Sequence, residues 1–256
     1  TDWSRHAVSL DLGAEKGVFA RNAAENFLDW NAGVDGDLDV SEDTAISAGL
    51  SWAHEHEQRS SQEDVNGVEP TEFDRAEVTL GARHQVGPLA FAVTGGAQRL
   101  DYDDVPAGDG GVINNDDRDR SVFQVGLRAG YAVSPALEVF LQTGYNHEDF
   151  DAAVDDTGVD RDSEGVSAEA GVAFEISGLT FGEASVGVRQ RSFADPQFDS
   201  VIGPSASLSL TSSITELTTI EAGISTAIDP TTGRGASSKF TRQVDLSVDH
   251  ELLRYV

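Results

Sequence analysis

Residues 30–40 read WNAGVDGDLDV. Trp30, Ala32, Val34, Leu38 and Val40 take the even positions, and Asn31, Asp35, Asp37 and Asp39 take odd ones. A period of two is the signature of a β-strand, because successive side chains leave opposite faces of the pleat. The same alternation recurs along nearly the whole chain. It predicts twelve strands, over 7–20, 28–40, 44–56, 73–86, 89–102, 121–133, 136–150, 165–176, 179–193, 205–211, 216–228 and 239–250. Helical periodicity is not sustained anywhere.

The connections sort themselves. Ser41-Glu42-Asp43, Gly87-Pro88, Ser134-Pro135, Ser177-Gly178 and Ser212-Ser213 read as tight hairpin turns. Between them fall longer connections at 57–72, 103–120, 151–164, 194–204 and 229–238. Short and long therefore alternate. In an up-and-down sheet all short turns then lie at one end and all long loops at the other. A Greek-key sandwich has no reason to sort its loops this way, whereas a transmembrane barrel does. Most of the strands also reach the ~9–11 residues that a tilted strand needs to cross a bilayer.

Face composition decides the orientation expected. Phe123, Val125, Leu127, Ala129 and Tyr131 make one face of a strand; Gln124, Gly126, Arg128 and Gly130 make the other. In a membrane barrel the apolar side meets lipid and the polar side lines the lumen. On that reading Glu77, Arg83, Arg128, Glu138, Glu169, Glu175 and Arg189 line the lumen. Trp30, Trp52, Tyr102, Phe123, Tyr145, Phe193 and Phe240 stand near the long-loop ends and are read as a membrane girdle. The alternation slips between Phe181 and Ala184, which suggests a bulge or a misplaced boundary.

Composition narrows the function. With 45 acidic against 17 basic residues the net charge is −28, which repels a nucleic-acid backbone. There is no cysteine, hence no disulfide framework, thiolate metal site or cysteine nucleophile. No apolar run approaches a membrane helix. With no methionine, even at position 1, the chain is expected to be a processed or partial product. No catalytic constellation emerges: nucleophile-elbow, P-loop and dinucleotide fingerprints are missing, and carboxylate pairs are too frequent for any two to be chosen. His54 and His56, in HEHE at 54–57, lack an identifiable third metal ligand. The acidic loops DYDDVPAGDGGVINNDDRD (101–119) and DFDAAVDDTGVDRD (149–162) offer Asp103, Asp104, Asp116, Asp117, Asp155 and Asp156 as candidate Ca²⁺ ligands, although their spacing matches no EF-hand.

The hairpins FDRAEVTLGARHQVGPLAFAVTGGAQRLDYDDV, INNDDRDRSVFQVGLRAGYAVSPALEVFLQTGYNHEDFD and VDRDSEGVSAEAGVAFEISGL, with DLSVDHELLRYV at the end, resemble the putative β-barrel porin 2 family of Gram-negative bacteria. The resemblance covers roughly 28–256 and implies an outer-membrane location. It also implies porin-like passage or a part in surface-polysaccharide export, and it carries over no active-site residues. Members usually continue past such a segment and finish on an aromatic residue, so further C-terminal strands, or another chain, are expected to close the sheet.

The expected molecule is one all-β domain over 1–256, an antiparallel up-and-down transmembrane barrel with about 12 strands visible. It is a passive conduit for small polar solutes or cations and not an enzyme. Its partners are outer-membrane lipid and, through divalent cations, lipopolysaccharide; an oligomer or an envelope assembly is a further expectation. The alternatives are a secreted all-β surface protein with Ca²⁺-binding loops and a structural scaffold barrel.

Overall fold

The computed structural model describes residues 2–3, 6–61, 63–215, 217–230 and 238–251. Twelve long strands carry the fold: β1 (His6–Gly17), β2 (Phe27–Ser41), β3 (Thr44–His56), β4 (Glu72–Val86), β5 (Leu89–Tyr102), β6 (Arg120–Ser134), β7 (Leu137–Phe150), β8 (Ser163–Ile176), β9 (Thr180–Phe193), β10 (Val201–Thr215), β11 (Thr218–Pro230) and β12 (Ser238–His250). Each pairs antiparallel with its neighbours in chain order. A two-residue strand, Asp2–Trp3, lies against β1. The sheet is not closed: that short strand is one edge and β12 the other. A small ribbon, Val105–Pro106 with Val112–Ile113, sits in the loop between β5 and β6.

All twelve expected strands are present. Two details differ. Ser212-Ser213 is not a turn, because β10 runs on to Thr215 and the hairpin closes at Thr215↔Thr218. Hydroxyl-rich residues there resemble a loop in composition. They are satisfied across the strands instead, with Thr180 Oγ1 and Ser212 Oγ 2.7 Å apart and a 2.9 Å bond from Thr215 Oγ1 to Thr218 Oγ1. Nor is there a bulge at Phe181: the β8–β9 register runs unbroken from Ser163↔Phe193 to Ile176↔Thr180. Phe181 shares the inward parity of Glu183 and stands exposed at the short-turn rim. Glu216 and part of the 229–238 loop lie outside the described residues.

The burial pattern is inverted relative to a water-soluble sheet. Leu127, Leu141 and Val186 are 56 %, 65 % and 68 % exposed, while Glu169, Arg191 and Glu148 are 8 %, 5 % and 7 % exposed. No second layer covers the aliphatic face among the described residues. Hydrocarbon is the solvent that such a face requires.

Glycine on the inward face makes room for large neighbours. Phe140, 3 % exposed, pairs with Gly130 on one side and Gly171 on the other. A Cβ at Gly171 would collide with the Phe140 ring and with the Ala184 carbonyl. The ring thus lies over Gly171, whereas the space over Gly130 is taken by the Glu138 carboxylate.

Candidate functional site

The inward face gathers three sets of charged side chains. Toward the short turns, the Arg128 guanidinium donates to Glu183 at 2.7 Å and to Glu138 at 3.0 Å. It also lies 3.5 Å from the centroid of the Phe140 ring. Arg83 lines a cavity of about 340 Å³ beside this group.

Midway, the Glu169 carboxylate is a hub. It accepts from the hydroxyls of Ser205 and Ser185, from Gln142 Nε2 at 2.8 Å and from Arg189 at 3.4 Å. Strands β7, β8, β9 and β10 are thereby tied through one buried side chain. A buried carboxylate needs several donors to stay charged, and Glu169 has them.

Toward the loops, Arg191 donates to Ser163 Oγ at 2.8 Å and to Glu148 at 3.3 Å. Arg120 lies between the rings of Tyr102 and Phe150, and Arg118 stacks 4.2 Å from the Tyr102 centroid while donating to Glu57 at 3.0 Å. Between these sets runs a polar cavity of about 570 Å³ whose lining includes Thr94, Gln124, Asn146, Ser167, Arg189 and Arg191.

The seven residues expected in the lumen all have inward parity. Arg128, Glu138, Glu169 and Arg189 join the ion-paired sets, Arg83 and Glu77 line cavities, and Glu175 sits at the rim opposite Phe181. Arg191, Glu148, Glu183 and Gln142 belong to the same system and were legible by the same alternation. Arg118 and Glu57 lie in connections, where no period announces them.

Trp30, Trp52, Phe123 and Tyr145 are 41–51 % exposed on the outward face. Phe240 is a correction: it pairs with Ile228, which is 3 % exposed, and its ring lies against the inward side of Gly203. Tyr102 and Phe193 are corrections. Tyr102 is 9 % exposed and stacks on Phe73 at 5.0 Å, inside the wall. Phe193 has the parity of Arg189 and Arg191 and packs edge-on against Phe198 at 5.9 Å. Nearness to the long-loop end suggested both, but parity sets the face.

Among the described residues no three His, Asp or Glu side chains gather as a metal cluster. His54 bonds Asp74 at 3.0 Å, whereas His56 bonds Asp29 at 2.9 Å and stacks on Phe27. The six loop aspartates are spread along the loops. Asp103 and Asp104 hold Asn115 through a carbonyl and a carboxylate, Asp116 accepts from Asn114, and Asp117 accepts the Asp156 N–H at 3.3 Å. Asp155 is the anchor of its loop. Burial alone would raise its carboxyl, but the Thr157 hydroxyl, the Val159 N–H and Arg161 outweigh burial and lower the pKa to about 2. Its folded pKa lies below the ordinary aspartate value, so the stabilisation is full above about pH 4 and fades as pH falls toward 2. Cleavage of the 151–162 loop by an acid protease is expected to rise steeply across that window. Asp155→Asn is expected to make the loop cleavable at pH 4 as well.

An antiparallel sheet with aliphatic residues outward, paired charges inward and all long loops at one end defines an outer-membrane β-barrel protein. The chain belongs to the putative beta-barrel porin 2 family, whose model matches residues 1–256. It is a protein of the bacterial outer membrane. In fold it is similar to the siderophore receptor PirA from Acinetobacter baumannii, with 12 % identity over 91 % of this chain and 40 % of that one and a TM-score of 0.50. It is also similar to the copper transporter OprC, with 13 % identity over 96 % of this chain and 47 % of that one and a TM-score of 0.50. The chain spans less than half the length of these two proteins. OmpT, an outer membrane protein of Vibrio cholerae, aligns over 97 % of this chain and 98 % of its own, with 10 % identity and a TM-score of 0.45. No curated protein matches the chain.

Proposed function

We propose that the protein is a passive, cation-favouring conduit for small polar solutes and not an enzyme. The observation that carries this is the polar cavity of about 570 Å³ along the inward face, bounded by charges that are paired within the wall. Pairing fixes these side chains against the strands and leaves hydrogen-bonding groups along a path. The cavity's size supports small solutes as cargo in preference to a surface polysaccharide. At the loop end the field is negative. Burial pushes the Asp117 carboxyl up, and the neighbouring Asp156 and Asp155 charges add to this, which reflects a local crowding of anions. Such a mouth concentrates cations.

Planar-bilayer recordings in a salt gradient are expected to give a reversal potential on the cation side, with a preference that weakens as ionic strength rises. Anion preference, or no conductance, contradicts the proposal.

A further inference from the structure

The wall doubles on itself at its loop end. β11 pairs with β10 from Thr215↔Thr218 to Ser207↔Ser225, whereas its pairing with β12 continues to Pro230↔Ser238. Past Ser225 the last two strands therefore leave β10 together. Pro204 gives a reason. The Ala206 N–H faces β11, where it donates to Thr226 Oγ1 at 2.9 Å. Residues two apart in a strand turn their backbone groups to the same side, so position 204 faces β11 too, and proline has no N–H to give there.

The pair of strands turns into the lumen. Gly203 pairs with Arg189 and shares its inward parity. A Cβ there would lie 3.1 Å from Ile228 Cδ1 and 3.3 Å from Phe240 Cε2, so both side chains stand over β10 from inside. By alternation with the Ile224↔Val244 pair, the Ile228↔Phe240 pair would face lipid. Instead the Ile228 carbonyl accepts from Arg191 Nε, on β9, at 3.2 Å. The Ile228 side chain borders the cavity of about 570 Å³. Register sets the depth: Tyr145, of the girdle, leads through Val166 and Gln190 to Ile202, next to Gly203.

β12 then reaches across the mouth. Lys239 Nζ lies 3.6 Å from Glu63 Oε1, in the connection between β3 and β4. Among the described residues no ladder joins β12 to that half of the sheet, because β12 is an edge strand. The connection that carries Glu63 is itself anchored. Arg59 donates to Glu25 at 2.9 and 3.0 Å, Glu57 accepts from Arg118, and the Val68 N–H donates to the Pro106 carbonyl at 2.8 Å. Contacts thus run from β9 through the turned-in strands to the β3–β4 connection, and on to the one between β5 and β6. Lys239 is 40 % exposed, and an ion pair so open to water holds weakly and is screened by salt.

We propose that the turned-in ends of β11 and β12 are the constriction of the conduit, and that the Glu63–Lys239 pair is its clasp. Ile228 and Phe240 set an apolar lip at the loop side of a polar path, and such a lip selects by width and by wetting. While the clasp holds, the lip stands in the lumen. When it parts, the two strands are free to swing toward the wall, where the parity of Ile228 and Phe240 places them. The inference rests on the conduit reading and names the residues that limit passage.

Single-channel recordings in planar bilayers, with potassium chloride as the probe, test it. Glu63→Lys and Lys239→Glu, made singly, set like charges face to face. Each is expected to raise the unitary conductance about twofold in dilute salt, where screening is weak. Glu63→Lys/Lys239→Glu restores the pair and is expected to return the unmodified value. A simple field effect on a cation path would move the two single variants in opposite directions, and that result overturns the clasp. If the charge variants do not insert, Glu63→Cys/Lys239→Cys decides. Bridged by a short bis-methanethiosulfonate it is expected to conduct no better than the unmodified chain, and to rise when a reductant releases the bridge. Conductance that ignores both the swaps and the bridge overturns the constriction alone. Absence of conductance in every form overturns the conduit, and the constriction with it.

Discussion

Leu127→Arg is expected to destabilise the barrel by about 2–4 kcal/mol, the cost of a charge facing lipid near the bilayer midplane. Leu127 is 56 % exposed and sits halfway along β6. An arginine already stands at 128, one residue further on, where it pairs with Glu138 and Glu183 and stacks on Phe140. The two positions differ by one step of the pleat, yet in one the guanidinium has two carboxylates and in the other only hydrocarbon. Gln124→Arg, on the inward face of the same strand, is expected to change stability by less than about 1 kcal/mol. Reversible unfolding in denaturant, with the protein in lipid vesicles, measures both.

Glu169→Ala is the second large effect, with an expected loss of about 2–4 kcal/mol. Removing the carboxylate strands donors on Gln142, Ser185, Ser205 and Arg189, all of which turn toward it. Glu169→Gln keeps one acceptor oxygen and is expected to recover about half of that loss. A variant with both Glu169→Ala and Arg189→Ala is expected to be less unstable than the sum of the two single changes, because neither leaves the other unpaired. Heat-modifiability on gels orders the four proteins, and denaturant unfolding gives the magnitudes.

The sheet was legible because its code is short-range. A period of two and sorted turn lengths place twelve strands with no knowledge of partners. Boundaries slipped where chemistry imitates a loop, as at Ser212 and Ser213, whose hydroxyls bond across strands. The inward charges were legible by parity alone, and Glu169, Arg128 and Arg189 follow from it. For Tyr102 and Phe193 parity, and not depth along the strand, sets the face: the even residues Thr94, Gly96 and Gln98 already point Tyr102 inward. Which charge pairs with which depends on the stagger between strands, which no single strand encodes. Phe140 illustrates this: its place over Gly171 exists only once β7 and β8 are in register.

The orientation of the two faces can be read directly, because the chain contains no cysteine. Val125→Cys and Gln124→Cys, made singly and reconstituted in vesicles, present neighbouring positions on opposite faces of β6. A membrane-impermeant maleimide is expected to modify Cys at 124 and spare Cys at 125, while a bilayer-partitioned maleimide does the reverse. Modification of position 125 from water, with position 124 reached only from the lipid, would contradict the barrel as described.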